Sequence, residues 1–185
     1  MIIWTCLLAF LLCIAGTPVL CCDCLRHYGH LSNASLTLVQ TMGGQLTDQE
    51  SPVPFPYKLY KYIRNAKVDK QLVFIRDSLE LIAGLYRHDN LSSITWDTDK
   101  TEHFLMILHR QEDELKSCVS THSRKVSALR KYYRKLNKST LYRTGGGPAS
   151  WEIIRKETKK HLVQLDLLVG FVVESAADSI CSVSL

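Results

Sequence analysis

The segment "VDKQLVFIRDSLELIAGLY" (residues 68–86) carries an apolar side chain at every third or fourth position, without a gap. The residues on this stripe are Val68, Leu72, Ile75, Leu79, Ile82 and Tyr86. Because an α-helix has 3.6 residues per turn, this spacing places all of them on one face of a helix about five turns long. Such a helix depends for its stability on burying that face against other elements. The segment therefore predicts a core helix of a helical domain.

The same spacing recurs elsewhere in the chain, and no segment alternates convincingly with the period of two that marks a strand. Including the first, the predicted helices cover residues 25–42, 68–86, 104–119, 126–136 and 151–172. Gly43 and Gly44 end the first helix. Asp99 and Glu102 have the spacing of a capping box for the third. Ser150 is the predicted N-cap of the fifth helix, after the breaker "GGGP". The prediction is an all-α bundle of five helices.

The connections between the predicted helices indicate how the bundle is arranged. The third and fourth are joined by only a few residues around 121–123, which predicts antiparallel neighbours. The first and second are joined by residues 43–67, a long segment stiffened by Pro52, Pro54 and Pro56. A connection of this length can cross a whole bundle, and such crossovers are typical of cytokine-type helical bundles.

The N-terminus predicts the compartment. Residues 2–15 are uncharged and almost wholly apolar, and Gly-Thr-Pro follows, which is typical of a secretory signal peptide. We assign residues 1–21 to this peptide, residues 22–185 to the mature helical domain, and residues 179–185 to a flexible tail. No later stretch is long and apolar enough to span a bilayer, so no membrane insertion is predicted. Secretion agrees with three N-x-S sequons, at Asn33, Asn90 and Asn137.

Cys118 is the only cysteine between residues 25 and 180. In an oxidising compartment an unpaired cysteine inside a helix is unexpected, so we predict that Cys118 forms a disulfide. Cys22 is the preferred partner, and Cys24 competes for the same role. Cys24 and Cys181 then form the natural second pair.

Six motifs in the mature chain resemble those of type I interferons, and they occur in the order found in that family. They are "CDCL" (22–25), "LTLVQTM" (36–42), "PFP" (54–56), "LKSCV" (115–119), "ALRKYYRKL" (128–136) and "SWEIIRKE" (150–157). The resemblance implies a five-helix cytokine bundle and the disulfide Cys22–Cys118. In the family, one cysteine of the second disulfide lies in the long connection. Residues 43–67 contain no cysteine, so this disulfide is absent. In this respect the chain is similar to the two-cysteine subgroup of fish type I interferons.

The sequence contains no motif that indicates catalysis or a resident cofactor. It has no H-E-x-x-H or G-x-S-x-G pattern, and "TGGGPAS" lacks the lysine of a phosphate loop. His27 and His30 are three residues apart, but no further ligands cluster with them, so no metal site is predicted. We therefore predict that the protein is not an enzyme.

The fourth predicted helix is strongly basic. Its cations are Arg124, Lys125, Arg130, Lys131, Arg134, Lys135, Lys138 and Arg143, with Tyr132 and Tyr133 among them. A nucleic-acid or heparin patch and a solvated helix face both fit this pattern, and we favour the solvated face because Val126, Leu129 and Leu136 form a separate apolar stripe. Weak binding of polyanions is expected, and binding of nucleic acid is not.

The fifth predicted helix carries a second group of cations. If it buries Trp151 and Ile154, helical geometry places Arg155 on the flank of the buried stripe. Lys156, Lys159 and Lys160 then lie further round the helix, where a solvated face is the simplest interpretation. The resemblance implies more, because the family's high-affinity receptor chain docks where this helix meets the long connection.

The resemblance thus implies a receptor-binding site formed by Arg155, Lys156, Lys159 and Lys160, with Phe55 and Pro56 beside them. We expect Arg155→Ala to weaken receptor binding while leaving stability near that of the wild type. The expected function is that of a secreted cytokine that bridges two class II cytokine receptor chains and induces an antiviral state. The alternative is a secreted cationic antimicrobial or heparin-binding protein.

Overall fold

The computed structural model describes residues 25–87, 94–119 and 126–181, and side chains as far as residue 175. Its helices are α1 (Tyr28–Thr41), α2 (Tyr57–Arg64), α3 (Val68–Leu85), α4 (Thr98–Lys116), α5 (Ser127–Asn137) and α6 (Pro148–Cys181), with a π-helical turn at Lys138–Tyr142. No β-strand occurs in these residues, and the all-α prediction is confirmed. The five predicted helices correspond to α1, α3, α4, α5 and α6. The predicted signal peptide lies outside the described residues.

Helix α3 is the centre of the bundle and packs against α2, α4, α5 and α6, while α1 packs against α4 and α6. The apolar stripe behaves as its spacing predicts, because Leu72, Ile75, Leu79 and Ile82 are all completely buried. Each such side chain contributes about 1.5–3 kcal/mol when it leaves water. Trp151, at the start of α6, is also completely buried in this core.

The connection between α1 and α3 contains the helix α2, which the sequence analysis did not predict. Helix α2 is only two turns long and buries Tyr60 and Ile63. These residues form a single i, i+3 pair, which is too short to give a helical period in the sequence. The helix follows Pro56 and is stabilised by packing against α3 and α6.

Two local predictions about α4 and α5 are wrong. The N-cap of α4 is Asp97, whose carboxylate accepts a hydrogen bond from the backbone N–H of Lys100 at 3.0 Å, so Asp99 lies inside the first turn. Helix α5 packs against α3 rather than pairing with α4 as its main neighbour. The carboxylate of Asp77 on α3 accepts a hydrogen bond from the backbone N–H of Val126 at 2.9 Å, which attaches the start of α5 to α3.

Helix α6 begins earlier and ends later than predicted. Gly145 and Gly146 have φ values of 72° and 70°, a conformation that only glycine adopts at little cost. The helix therefore begins at Pro148, a favourable residue for the first turn, and Ser150 is inside that turn rather than at its N-cap. Its last residue is Cys181, so part of the segment 179–185 that was predicted to be a tail is helical.

Candidate functional site

Arg155 was predicted to lie on the exposed flank of the last helix, and this prediction is wrong because its side chain is completely buried. Its guanidinium donates hydrogen bonds to the carbonyls of Val39 and Gln40, at 3.3 and 3.1 Å, and of Gly44, at 2.6 Å. It also forms an ion pair with Glu152 at 2.7 Å. Arg155 thus caps the last turn of α1 and holds the beginning of the long connection against α6.

Trp96 and Gly43 complete the surroundings of Arg155. The indole N–H of Trp96 donates to the second carboxylate oxygen of Glu152 at 2.6 Å, and the guanidinium carbon of Arg155 lies 5.9 Å from the centre of the indole ring. A Cβ at Gly43 would be 2.7 Å from the Trp96 ring, so this position has room only for glycine. The segment before α4, the end of α1 and the beginning of α6 are therefore held together at one buried point.

The lysines of α6 hold the next part of the connection. Lys156 forms an ion pair with Glu50 at 2.8 Å and also donates to two backbone carbonyls of the connection. Lys160 pairs with Glu50 at 3.3 Å and with the buried Glu157 at 2.9 Å. Hydrogen bonds from both lysines lower the pKa of the Glu50 carboxyl. Lys159 is half-buried and forms no ion pair with the described residues.

Two adjoining grooves lie between α6 and this connection. The first has a volume of about 370 Å³ and is lined by Leu46, Phe55, Tyr57, Lys156, Lys159, Lys160, Val163 and Gln164. The second has a volume of about 320 Å³ and is lined by Tyr57, Tyr60, Lys61, Arg64, Gln164, Leu167, Leu168 and Phe171. Together these residues form what we call the α6–loop surface. It contains Lys156, Lys159, Lys160 and the half-buried Phe55, and the half-buried Pro56 follows Phe55 in the chain. The role of these residues in receptor binding stays a prediction.

The apolar part of the α6–loop surface was not predicted from the sequence. Tyr57 is 61% exposed, Leu167 is 53% exposed and Phe171 is 38% exposed, and Arg64 lies 4.8 Å above the Phe171 ring. Exposed apolar side chains in one patch with flanking cations are typical of a protein-binding surface. The signal was present, because Val163, Leu167 and Phe171 are spaced by four residues and form a second apolar stripe beside the buried one.

A buried aromatic cluster supports this surface from below. The Phe55 ring lies 4.5 Å from the His161 ring and stacks on Tyr60 at 5.6 Å. The Tyr60 hydroxyl and Nδ1 of His161 are hydrogen-bonded at 2.7 Å. Burial lowers the pKa of His161 to about 3, so the ring is neutral in the folded protein. His161 is therefore structural, and it helps to fix the position of Phe55.

Cys118 is disulfide-bonded. Cys22 and Cys24 lie outside the described residues, as does the side chain of Cys181, so the pairings Cys22–Cys118 and Cys24–Cys181 stay predictions. Among the sequons, Asn33 is exposed on α1 and Asn137 is half-buried at the end of α5. Asn90 is outside the described residues.

Residues 25–87, 94–119 and 126–181 lack two other kinds of feature. They contain no group of three or more histidine, cysteine or carboxylate side chains that could hold a metal ion. None of their helices combines the length and the apolar character that crossing a bilayer requires.

The fold and the surface together define a class of protein. A helical bundle with a long connection between its first two core helices, and a partly apolar surface where that connection meets the last helix, is the architecture of a helical cytokine. The chain belongs to the interferon family, because residues 25–171 match the family model described as the interferon alpha/beta domain.

Two known proteins are similar to this chain over most of its length. Interferon a3 of Oncorhynchus mykiss is 39% identical over 168 residues, which are 90% of this chain and 95% of that protein. The structure of zebrafish interferon 1 matches with a TM-score of 0.72 and 31% identity, over 82% of this chain and 99% of that chain. The resemblance to fish type I interferons is thereby confirmed.

Membership of this family has several consequences for function. The protein is a type I interferon-like cytokine, and its relatives are cytokines rather than enzymes. Members of the family bind class II cytokine receptors, and homologous interferons are secreted.

Proposed function

We propose that this protein is a secreted type I interferon that bridges two different class II cytokine receptor chains and thereby induces an antiviral state. The observation that carries the proposal is the α6–loop surface, where exposed apolar side chains lie beside cations. A ligand with two binding faces acts by proximity. Once the first receptor chain is bound, the effective concentration of the second increases without any new contact.

The high-affinity receptor chain docks on the α6–loop surface in this proposal. Leu167 and Phe171 are its apolar anchors, and Lys159 meets a receptor carboxylate, since it forms no ion pair with a described residue. When the receptor binds, Lys156 and Lys160 break their ion pairs with Glu50 and pair with receptor groups instead. This is possible because Glu50 is exposed and its two ion pairs are accessible to solvent. Arg155 acts through the loop that it holds and makes no receptor contact.

The maturation of the protein is part of the same proposal. Residues 1–21 are removed on secretion, Cys22 pairs with Cys118, and Cys24 with Cys181 is the second candidate pair. Asn33 accepts a glycan on the exposed face of α1, and Asn90 and Asn137 are further acceptors. Sequencing the N-terminus of the secreted protein tests this boundary, and a chain that begins at Met1 contradicts it.

The receptor proposal is tested by a pair of matched variants. Leu167→Ala removes an exposed apolar side chain from the α6–loop surface, and Met106→Ala removes one that is 61% exposed on α4. Loss of a binding anchor costs 2 kcal/mol or more, so we expect affinity for the high-affinity receptor ectodomain to fall about thirtyfold with Leu167→Ala. Met106→Ala should leave this affinity unchanged. Equal affinities for the two variants would overturn the assignment of this surface.

The function itself is tested on cells. Treatment with the folded protein should induce antiviral genes in cells that carry both receptor chains. Deleting either chain should abolish the response, because proximity of two chains is the proposed mechanism. A response that persists without the receptors, or killing of bacteria in their absence, would instead favour the cationic antimicrobial alternative.

One specific observation favours a second, weaker interaction. The cations of α5 are exposed and belong to none of the ion pairs among the described residues. Such a face attracts polyanions without any need for a receptor.

A further inference from the structure

The segment formed by α5, the π-helical turn and Arg143 has an unbalanced charge. It carries six cationic side chains and no acidic one, and these are Arg130, Lys131, Arg134, Lys135, Lys138 and Arg143. All six are exposed, and no carboxylate of the described residues forms an ion pair with them. Ion pairs balance many charges elsewhere on this protein, so the difference marks out this face.

The cations of α5 are arranged in rows. Arg130, Arg134 and Lys138 follow one another at intervals of four residues, which places neighbouring side chains about 5–6 Å apart along one side of the helix. Lys131 and Lys135 form a parallel row beside them. Rows of this kind fit a ligand that presents anionic groups repeatedly along a chain, rather than a single anion.

A groove lies directly beside the first row. It has a volume of about 800 Å³ and runs between α3 and α5. Arg130 and Arg134 line it from α5, and Arg87 lines it from the end of α3. Glu80 is the one acidic side chain among the described residues that line it. Three cations thus line a concave channel, and the other cations of α5 adjoin it.

We propose that this groove and the adjoining cations of α5 bind a sulfated glycosaminoglycan. Sulfate groups are ionised over the whole physiological pH range, and the planar guanidinium of arginine pairs with oxyanions through two hydrogen bonds. Tyr132 and Tyr133 are 9% and 2% exposed and belong to the core, so neither ring is available to stack on nucleic-acid bases. Single-stranded nucleic acid therefore lacks the stacking platform that it requires on this helix.

The glycosaminoglycan site goes beyond the proposed receptor function, and its test needs no receptor. Binding to immobilised heparin is measured at about 0.15 M NaCl, where long-range attraction is largely screened. The variant Arg130→Ala/Arg134→Ala/Lys138→Ala removes one row. We expect its Kd for heparin to rise at least about tenfold, and the dependence of Kd on salt to become weaker, because fewer counterions are released.

A matched control removes the same charge elsewhere. Lys58→Ala/Lys67→Ala/Lys70→Ala changes three exposed cations on α2 and at the beginning of α3. The groove lies beside the C-terminal part of α3, far from these residues. We expect its Kd to change less than about twofold, because local contacts rather than net charge determine affinity. Circular dichroism of both variants establishes that each is folded. Equal weakening by the two triple variants would overturn the proposal.

Two further measurements separate the groove from a general basic face. Arg87→Ala removes a cation from the α3 side of the groove. It should also weaken heparin binding, because the proposed site includes the groove and not α5 alone. Desulfated heparin and a DNA duplex of equal charge serve as competitors, and sulfated heparin should compete far better than either. An unchanged Kd for Arg87→Ala, or competition by DNA as strong as that by heparin, would contradict the proposed site.

Discussion

Replacing Arg155 with alanine should destabilise the protein strongly. The substitution removes the donors for three backbone carbonyls, at Val39, Gln40 and Gly44, and the buried ion-pair partner of Glu152. Breaking a buried ion pair by removing one partner costs about 3–5 kcal/mol. The Glu152 side chain is 23% exposed and regains some hydration, so we expect a loss near the lower end, about 3–4 kcal/mol.

This loss is large compared with the total stability of a domain, which is about 5–15 kcal/mol. For a protein of this size it corresponds to a fall in Tm of roughly 6–16 °C. Urea unfolding followed by circular dichroism measures the change at 25 °C. Lys159→Ala is the matched control, because Lys159 lies one turn further along α6, is half-buried and has no ion-pair partner in the described residues. It should change the free energy of unfolding by less than about 0.5 kcal/mol.

Any effect of Arg155→Ala on receptor binding should be indirect. Arg155→Ala should loosen the connection that begins at Gly44, and receptor affinity should fall together with stability. An Arg155→Ala protein as stable as Lys159→Ala would refute the argument, because the buried hydrogen bonds would then contribute nothing. Reduced receptor binding at unchanged stability would return Arg155 to the role of a direct contact.

Three further predictions follow from single sites. Gly43→Ala should lower the free energy of unfolding by about 1–3 kcal/mol, because its Cβ would clash with the Trp96 ring. Gly44→Ala has open space around its Cβ and should lower it far less, and urea unfolding of both variants measures the difference. Below pH 6.5 the unfolded chain binds a proton that buried His161 cannot, so stability should fall as the pH is lowered from 6.5 towards 3, by up to about 1.4 kcal/mol per unit. Unfolding at pH 6.5 and 5 should show a smaller fall in His161→Gln, and an equal fall would contradict this assignment. Non-reducing digestion should recover Cys118 linked to Cys22, and recovery of a Cys22 peptide without Cys118 would exclude that pairing. Closing a loop of roughly 100 residues stabilises by up to about 4–5 kcal/mol, so Cys118→Ser should lower the Tm markedly.

Some of the candidate site could be predicted from the sequence because it depends on local geometry. The lysines at 156, 159 and 160 belong to the α6–loop surface, and helical spacing together with the family resemblance was sufficient to indicate them. The stripe of Val163, Leu167 and Phe171 had the same kind of signal, since residues four apart share a helix face in any environment. The ion pairs of Glu50 had no such signal, because its lysine partners lie more than 100 positions away in the chain.

The sequence by itself determined that the protein is all-α, and it determined which face of the central helix α3 is buried. The spacing of Leu72, Ile75, Leu79 and Ile82 is a local property, and an apolar stripe must be buried wherever the helix lies. Only the tertiary structure decided the role of Arg155. A residue at the edge of a buried stripe faces solvent or a neighbouring element, depending on what packs there. Here the last turn of α1 brings unpaired carbonyls to that edge, and a buried guanidinium satisfies them.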